Sequence, residues 1–212
     1  MTRSLSAEAY TALQQGRYVA RDFIWIIAKS RVDGSPVADG AWSDVGTIDA
    51  QVIDPMTGGT QTRTFAGGGG LISISDIPLV QGITVQTIEV KLSQLNDRIN
   101  DFVRTYECKQ ADIQIFRGLF DPVTRQMVAP ATPRFVGFID SAPITTPAEG
   151  SDGDACITVT CTSNTQELTR ANSDMCSDAS QRLRSATDGF FKDVAVVGGW
   201  QFFWGKESGT AT

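Results

Sequence analysis

The run "ACITVTCTS" at 155–163 alternates apolar with polar residues and is rich in β-branched side chains, which predicts a β-strand. Successive side chains of a strand point to opposite faces, so Cys161 shares a face with Ile157 and Val159. Cys156 then lies on the other face. The two sulfur atoms would be roughly 16 Å apart along the strand. This spacing excludes a disulfide or a shared metal ion for the pair, and we expect Cys161 to be a small core residue.

The same strand pattern recurs along most of the chain. Runs rich in β-branched and aromatic residues are separated by turn signals such as "DGSP", "DPMTGG" and "DPVTRQ". Short strands joined by turns are typical of antiparallel sheets. We predict strands at 17–31, 47–53, 60–65, 71–75, 83–92, 111–120, 134–144 and 155–163.

One segment has a clear helical period instead. With Ser93 as its N-cap, the segment 94–106 places Leu95, Ile99 and Phe102 on a single apolar stripe. Val103 and Tyr106 continue this stripe, and the remaining residues of the segment are polar. We therefore expect an amphipathic helix that packs this stripe on the sheet, or uses it as an assembly interface.

These elements predict a mainly β fold. We expect an antiparallel β-sandwich or partly open barrel with one packed α-helix, an N-terminal helix at 5–15 and a C-terminal extension. The β domain, including the N-terminal helix, is predicted to span 1–170. The extension is predicted to span 171–212.

Composition excludes several classes of function. The 212 residues are 41% hydrophobic, so the chain can bury a substantial core, and its four cysteines form neither a disulfide scaffold nor a CxxC site. The chain has no histidine, which removes Ser-His-Asp catalysis and histidine metal sites. A formal net charge of -6 disfavours nucleic-acid binding. No apolar run is long enough to span a bilayer, and we see no signal peptide. We expect no enzyme activity, no catalytic residues, no metal and no cofactor.

The glycines at 67–70, in "AGGGGL", could suggest a phosphate cradle. A P-loop requires a following GK[ST] and a helix, and the dinucleotide fingerprint requires a βαβ unit. Neither context is present in the sequence. We therefore interpret the glycines as a mobile hairpin tip.

Aromatic residues are concentrated near the C-terminus. Trp200, Phe202 and Trp204 alternate, so in a strand they would share one face. That face could belong to an ordinary core, or it could form an interface with a neighbouring subunit. We take these three residues, together with Leu95, Ile99 and Phe102, as candidate assembly-interface residues.

The order of these segments resembles tail-tip hub proteins of siphophages and gene transfer agents. The resemblance lies in "LSAEAYTALQQG" followed by "FIWIIAKSR", in "GGGLISISDIPLVQGITVQTIEVKLSQLNDRINDFV", and in "QADIQIFRGLFD" followed by "FVGFIDSAPI". The end, "SDASQRLRSATDGFFKDVAVVGGWQFFWGK", is similar to the C-terminus of phage tail proteins encoded just after the tape measure. Hub proteins of the lambda type carry a C-terminal cysteine cluster for an iron–sulfur centre. The cysteines of this chain, at 108, 156, 161 and 176, depart from that pattern.

The resemblance implies a tail-tube-type β fold and a structural role in the virion. The chain would form a trimeric hub or a hexameric distal tail ring, which joins the tail tube to the baseplate or fibre and lets DNA pass. Its partners would be copies of itself and the neighbouring tail-tube, tape-measure and tail-tip or fibre proteins. It would be made in the host bacterial cytoplasm and end in the tail tip. The alternatives are a stand-alone β-sandwich module that binds carbohydrate or a receptor, and a small hydrolase.

Overall fold

The structure is a computed structural model that describes residues 5–78, 80, 82–149, 155–169 and 174–200. The chain divides into two compact units, Met1–Thr169 and Arg170–Thr212. The described part of the first unit contains ten strands, two α-helices and a 3-10 helix, Asn164–Thr169. The helices and strands are α1 (Ala7–Gln15), β1 (Val19–Ser30), β2 (Pro36–Trp42), β3 (Thr47–Ile53), β4 (Thr60–Ala66), β5 (Leu71–Ile74), β6 (Thr87–Ser93), α2 (Asp97–Thr105), β7 (Tyr106–Phe120), β8 (Thr132–Ser141), β9 (Ile144–Thr145) and β10 (Cys156–Ser163).

All ten strands belong to one sheet, in the order β3-β4-β2-β1-β7-β8-β10-β6-β5, with β9 paired to β10. The pairs are antiparallel except β2–β4, which is parallel. The prediction of a mainly β fold with a helix packed on the sheet is therefore confirmed.

One end of the sheet curls round and closes on itself. Ala131, just before β8, donates its N–H to the carbonyl of Gln51 (2.8 Å), and the Ile53 N–H donates to the carbonyl of Ala131 (3.0 Å). These bonds join β3 to the start of β8. Strands β1, β2, β4, β3, β8 and β7 thus form a small barrel. Closure satisfies backbone groups that an open sheet edge would leave unpaired.

The barrel interior is filled mainly by aromatic side chains. Phe23 stacks on Trp42 with ring centroids 5.7 Å apart and meets the edge of Phe65 at 4.9 Å. Phe120 stacks on Trp42 at 6.0 Å. Alternate residues of the strands point inward, as the pleat requires. The buried members of this core are Phe23, Trp42, Ala50, Val52, Phe65, Phe116, Phe120 and Ala131.

A second, aliphatic core lies on the opposite face of the strands that the barrel shares with the rest of the sheet. On β1, Phe23 faces the barrel while Ile24 and Ile26 face this second core. Strands β5, β6 and β10 and helix α2 complete it. It includes Ile88, Val90, Leu92, Ile99, Phe102, Ile113, Ile115, Ile139, Ile157, Val159 and Cys161.

The eight strands predicted between residues 17 and 163 all occur, with shifted ends, but β2 was missed. Its sequence, "PVADGAW", carries Pro, Asp and Gly, which are depleted in strands. The Gly40 site explains its place in a strand, because a Cβ there would lie 2.8 Å from carbon atoms of both Phe65 and Trp25. Glycine at this position lets the barrel aromatics pack against the backbone.

The described part of the second unit, residues 174–200, contains helix α3 (Asp178–Arg184) and a 3-10 helix, Val197–Gly199. Ser177 caps α3 by accepting a hydrogen bond from the Ser180 N–H at 3.3 Å. An ion pair between Arg182 and Asp178 (2.8 Å) lies along the helix. Among the described residues of the chain, no helix is long and apolar enough to cross a membrane.

Candidate assembly surfaces

Helix α2 begins later than the sequence suggested. Asn96, not Ser93, is the N-cap, and its side chain accepts a hydrogen bond from the Ile99 N–H at 3.2 Å. Ser93 ends β6, and its hydroxyl accepts from the Leu95 N–H at 3.2 Å. Leu95 therefore lies in the turn before the helix and is 86% exposed. The expected stripe is shorter by one residue as a result.

Ile99 and Phe102, in contrast, are buried in the subunit's own aliphatic core. An ion pair between Arg98 and Asp39 holds the helix to β2, with Nε donating to Oδ2 at 3.0 Å. The hydrogen bond to Asp39 raises the pKa of Arg98. Asp39 also accepts from the Gly40 N–H at 2.8 Å. These contacts make the inner face of α2 part of the subunit core.

The three C-terminal candidates fall partly outside the described residues. Trp200 follows the 3-10 helix, its N–H donates to the Val197 carbonyl at 3.1 Å, and it is half exposed. Its backbone is extended at that point. Phe202 and Trp204 lie outside the described residues, as does most of the strand expected there.

The described residues of the second unit have no buried side chain. Leu183 is 89% exposed, Phe190 80% and Met175 75%. Val194, Val196, Val197 and Trp200 are also exposed. The described part of the second unit therefore leaves several large apolar side chains exposed to solvent.

Phe190 stands at a tight turn. The Lys192 N–H donates to the Gly189 carbonyl at 3.1 Å, and the Phe190 N–H donates to Asp188 Oδ1 at 3.0 Å. The Phe191 ring meets the Phe190 ring edge to face, at 5.0 Å. These contacts fix an exposed aromatic knob, which we call the Phe190 turn (residues 188–193).

One end of the barrel opens into a cleft of about 530 Å³, which we call the mouth cleft. Its apolar floor comes from Val19, Trp42, Ile48 and Phe120, and Val45 stands on its rim, 76% exposed. Trp42 and Phe120 are themselves buried, so they form a floor rather than a projecting aromatic platform.

Charged residues surround the mouth cleft. Arg21 Nε donates to Asp44 Oδ2 at 2.7 Å, and this bond, with one from the Val45 N–H, lowers the pKa of Asp44. Asp121 and Arg125, from the turn between β7 and β8, also line the cleft. The cleft is therefore an apolar recess with charges of both signs at its edge.

The first two of the four glycines at 67–70 hydrogen-bond to the loop between β2 and β3. The Gly67 N–H donates to the Gly46 carbonyl at 2.7 Å, and the Gly68 N–H donates to the Asp44 carbonyl at 3.0 Å. A Cβ on Gly67 would lie 2.1 Å from the Asp44 carbonyl oxygen. The interpretation as a hairpin tip was wrong, because the segment links β4 to β5, which are not neighbours in the sheet. Gly67 is needed for close backbone approach, whereas Gly68 and Gly69 have positive φ angles (96° and 82°) that favour glycine.

The cysteines are all free thiols. Cys161 lies in the aliphatic core with Ile157 and Val159, as predicted, and burial raises its pKa to about 12. Cys156 is absent from that core, and its sulfur lies 3.6 Å from the Thr158 hydroxyl. Burial also raises the pKa of Cys108, whereas Cys176 is exposed. Within the described ranges, no cluster of three or more potential metal ligands occurs.

Comparisons with known proteins give a distant structural likeness. No protein-family model and no curated protein matches the chain. A chain in a solved structure described as the "Virion of native gene transfer agent (GTA) particle" is similar, with a TM-score of 0.46 and 16% identity. The match covers 80% of this chain and 48% of that one, so this chain spans about half the length of its structural neighbour. A likeness at this level carries no argument about function.

Proposed function

We propose that this chain is a structural subunit of a phage-type tail tip. It forms a closed ring, either a trimeric hub or a hexameric distal tail ring, that joins the tail tube to the baseplate or fibre. The role is passive, with no catalytic step, cofactor or metal. The starting point of the proposal is the resemblance of the sequence to tail-tip proteins.

The observation that carries the proposal is the exposure of the second unit. The described part of this unit has seven large apolar residues in the exposed class and none buried. A subunit that works alone would keep such residues inside, whereas a ring subunit buries them against its neighbours. The closed barrel provides a rigid body of the kind that a ring needs, since its fold depends on its own aromatic core and not on a partner.

Helix α2 contributes to the ring through its outer residues. Leu95 remains a candidate contact because it is exposed beside the helix. Ile99 and Phe102 support the subunit core, so on this proposal they act indirectly by holding Leu95 and the helix in place.

Incorporation into particles tests the proposal. An epitope-tagged chain should appear in purified tails and be labelled at the tail tip in electron micrographs. The pair Trp200→Ala and Trp204→Ala should leave circular dichroism unchanged and abolish incorporation, because aromatic anchors dominate permanent interfaces. Absence of the tagged wild-type chain from the particles would contradict the proposal.

Mass and ligand binding separate the ring from the rival module. A ring predicts an assembled mass of three or six times the 22.8 kDa subunit mass. A stand-alone carbohydrate-binding module predicts a stable monomer that binds glycans.

A further inference from the structure

We propose that the mouth cleft is a binding site for a small organic anion, a compact apolar body that carries one acidic group. This inference goes beyond the proposed function and does not depend on it, because every residue that lines the cleft belongs to the first unit. It rests on the size of the cleft, on its apolar floor and on Arg125 at its rim.

The cleft has the size and the floor of a small-molecule site. Its volume of about 530 Å³ lies within the range of about 300–1,000 Å³ that is usual for such sites. Trp42 and Phe120 are buried and stacked with ring centroids 6.0 Å apart, so they form a rigid floor. Val19 and Ile48 extend the apolar lining. An apolar body seated there would remove this lining from water, which favours binding.

The two carboxylates of the cleft are hydrogen-bonded within the subunit. Asp44 accepts on each oxygen, from Arg21 Nε at 2.7 Å and from the Val45 N–H at 2.8 Å. Asp121 Oδ1 accepts from two N–H groups of its own turn, at 2.6 and 3.2 Å. Arg21 is likewise engaged by Asp44. These three charged groups are therefore held by contacts that the subunit itself provides.

Arg125 differs from these groups. Among the described residues, its guanidinium forms no hydrogen bond and no ion pair, and the side chain is exposed at the cleft. Its backbone is fixed, since the Arg125 N–H donates to the Asp121 carbonyl at 2.8 Å. A guanidinium offers a fork of N–H donors that matches a carboxylate or a similar oxyanion. The donors of Arg125 therefore favour a negatively charged group above the apolar floor.

Titration of the full chain with anilinonaphthalene sulfonate tests the site, because this aromatic anion becomes fluorescent in apolar surroundings. Arg125→Gln should weaken binding of the dye by about 10-fold, since a hydrogen bond to a charged group is lost. The matched control is Arg104→Gln, which removes another exposed arginine, on α2 and outside the cleft. It should change the affinity by less than about 2-fold.

The neutral dye N-phenylnaphthylamine separates charge from shape. It shares the aromatic body and lacks the sulfonate, so Arg125→Gln should change its affinity by less than about 2-fold.

Equal affinities of the two arginine variants for the anionic dye would overturn the inference, since the dye would then bind elsewhere, as at the exposed apolar residues of the second unit. An equal loss of the neutral dye in Arg125→Gln would also overturn it, because the arginine would then shape the cleft and not recognise an anion. Neither result bears on the proposed function, which incorporation into particles tests separately.

Discussion

The barrel and the C-terminal unit use the same kinds of residue in opposite ways. In the barrel, Phe23, Phe65 and Phe116 are fully buried in one core. In the second unit, Phe190 and Trp200 are exposed. Apolar content alone therefore does not tell where a chain folds by itself. Burial separates a unit that is complete from one that we propose is completed by a partner.

The largest contrast should come from removing one phenylalanine ring from each region. Phe23→Ala should lower the free energy of unfolding by about 3–5 kcal/mol, because it leaves a cavity in a packed aromatic core. Phe190→Ala should change it by less than about 0.5 kcal/mol, as expected for a surface position. Urea denaturation of the purified chain measures both. Similar losses for the two variants would mean that Phe190 belongs to a core of the isolated chain.

Replacing a glycine with alanine in each unit compares how tightly the backbone is packed in the two units. Gly67→Ala should cost about 1–3 kcal/mol, because its Cβ would collide with the Asp44 carbonyl and the neighbouring chain must shift. Gly199→Ala in the second unit has no atom within 4 Å of its Cβ and should be near neutral. Thermal melts of the two variants compare them directly. A neutral Gly67→Ala would show that the link from β4 to β5 is not packed as described.

These contrasts also show what sequence could and could not predict. Alternation of side chains was enough to place Ile157, Val159 and Cys161 on one face, since a strand offers only two faces. Closure of the barrel was not predictable, because it depends on Ala131 meeting β3 across a large separation in sequence. Strand β2 was missed for a related reason, because its glycine makes sense only once Phe65 and Trp25 lie over it.

The predicted start of α2 was wrong because two nearby residues fit the N-cap pattern. Ser93 and Asn96 are both good N-caps, and the apolar period fits either start. The choice is made by β6, which runs through to Ser93 and pairs it with Cys156. Leu95 consequently precedes the helix and is not part of its apolar stripe. For Trp200, Phe202 and Trp204 the sequence could not distinguish an interface from a core, because alternating aromatic residues are typical of both.

The cysteine of the second unit should react faster with thiol reagents than the three cysteines of the first unit. In the native chain, Cys176 should react rapidly with a thiol reagent, whereas the buried Cys108, Cys156 and Cys161 should react only as the protein unfolds. The raised pKa of Cys161, about 12, keeps it protonated at neutral pH. Counting modified thiols by mass spectrometry against time checks this. Rapid modification of all four cysteines would contradict their assignment as buried core residues. Stoichiometric iron or zinc in anaerobically purified protein would contradict the prediction that they bind no metal.

The smallest effects concern ion pairs. Arg98→Gln removes the pair that ties α2 to β2 and should cost about 0.5 kcal/mol, since the arginine is half exposed and solvent screens the pair. Arg182→Gln removes the exposed pair within α3 and should not measurably change stability. Urea melts at low and moderate salt compare the two. A large effect of Arg182→Gln would mean that the second unit contributes to the stability of the lone chain.

Hydrogen–deuterium exchange in the lone chain and in assembled tails shows whether the second unit is buried on assembly. We expect peptides covering 174–200 to exchange much more slowly after assembly, while peptides of the barrel strands β1 and β7 change little. That result would show the second unit becoming protected by its neighbours. Unchanged exchange of 174–200 in tails that contain the chain would contradict the claim that this unit is the assembly surface.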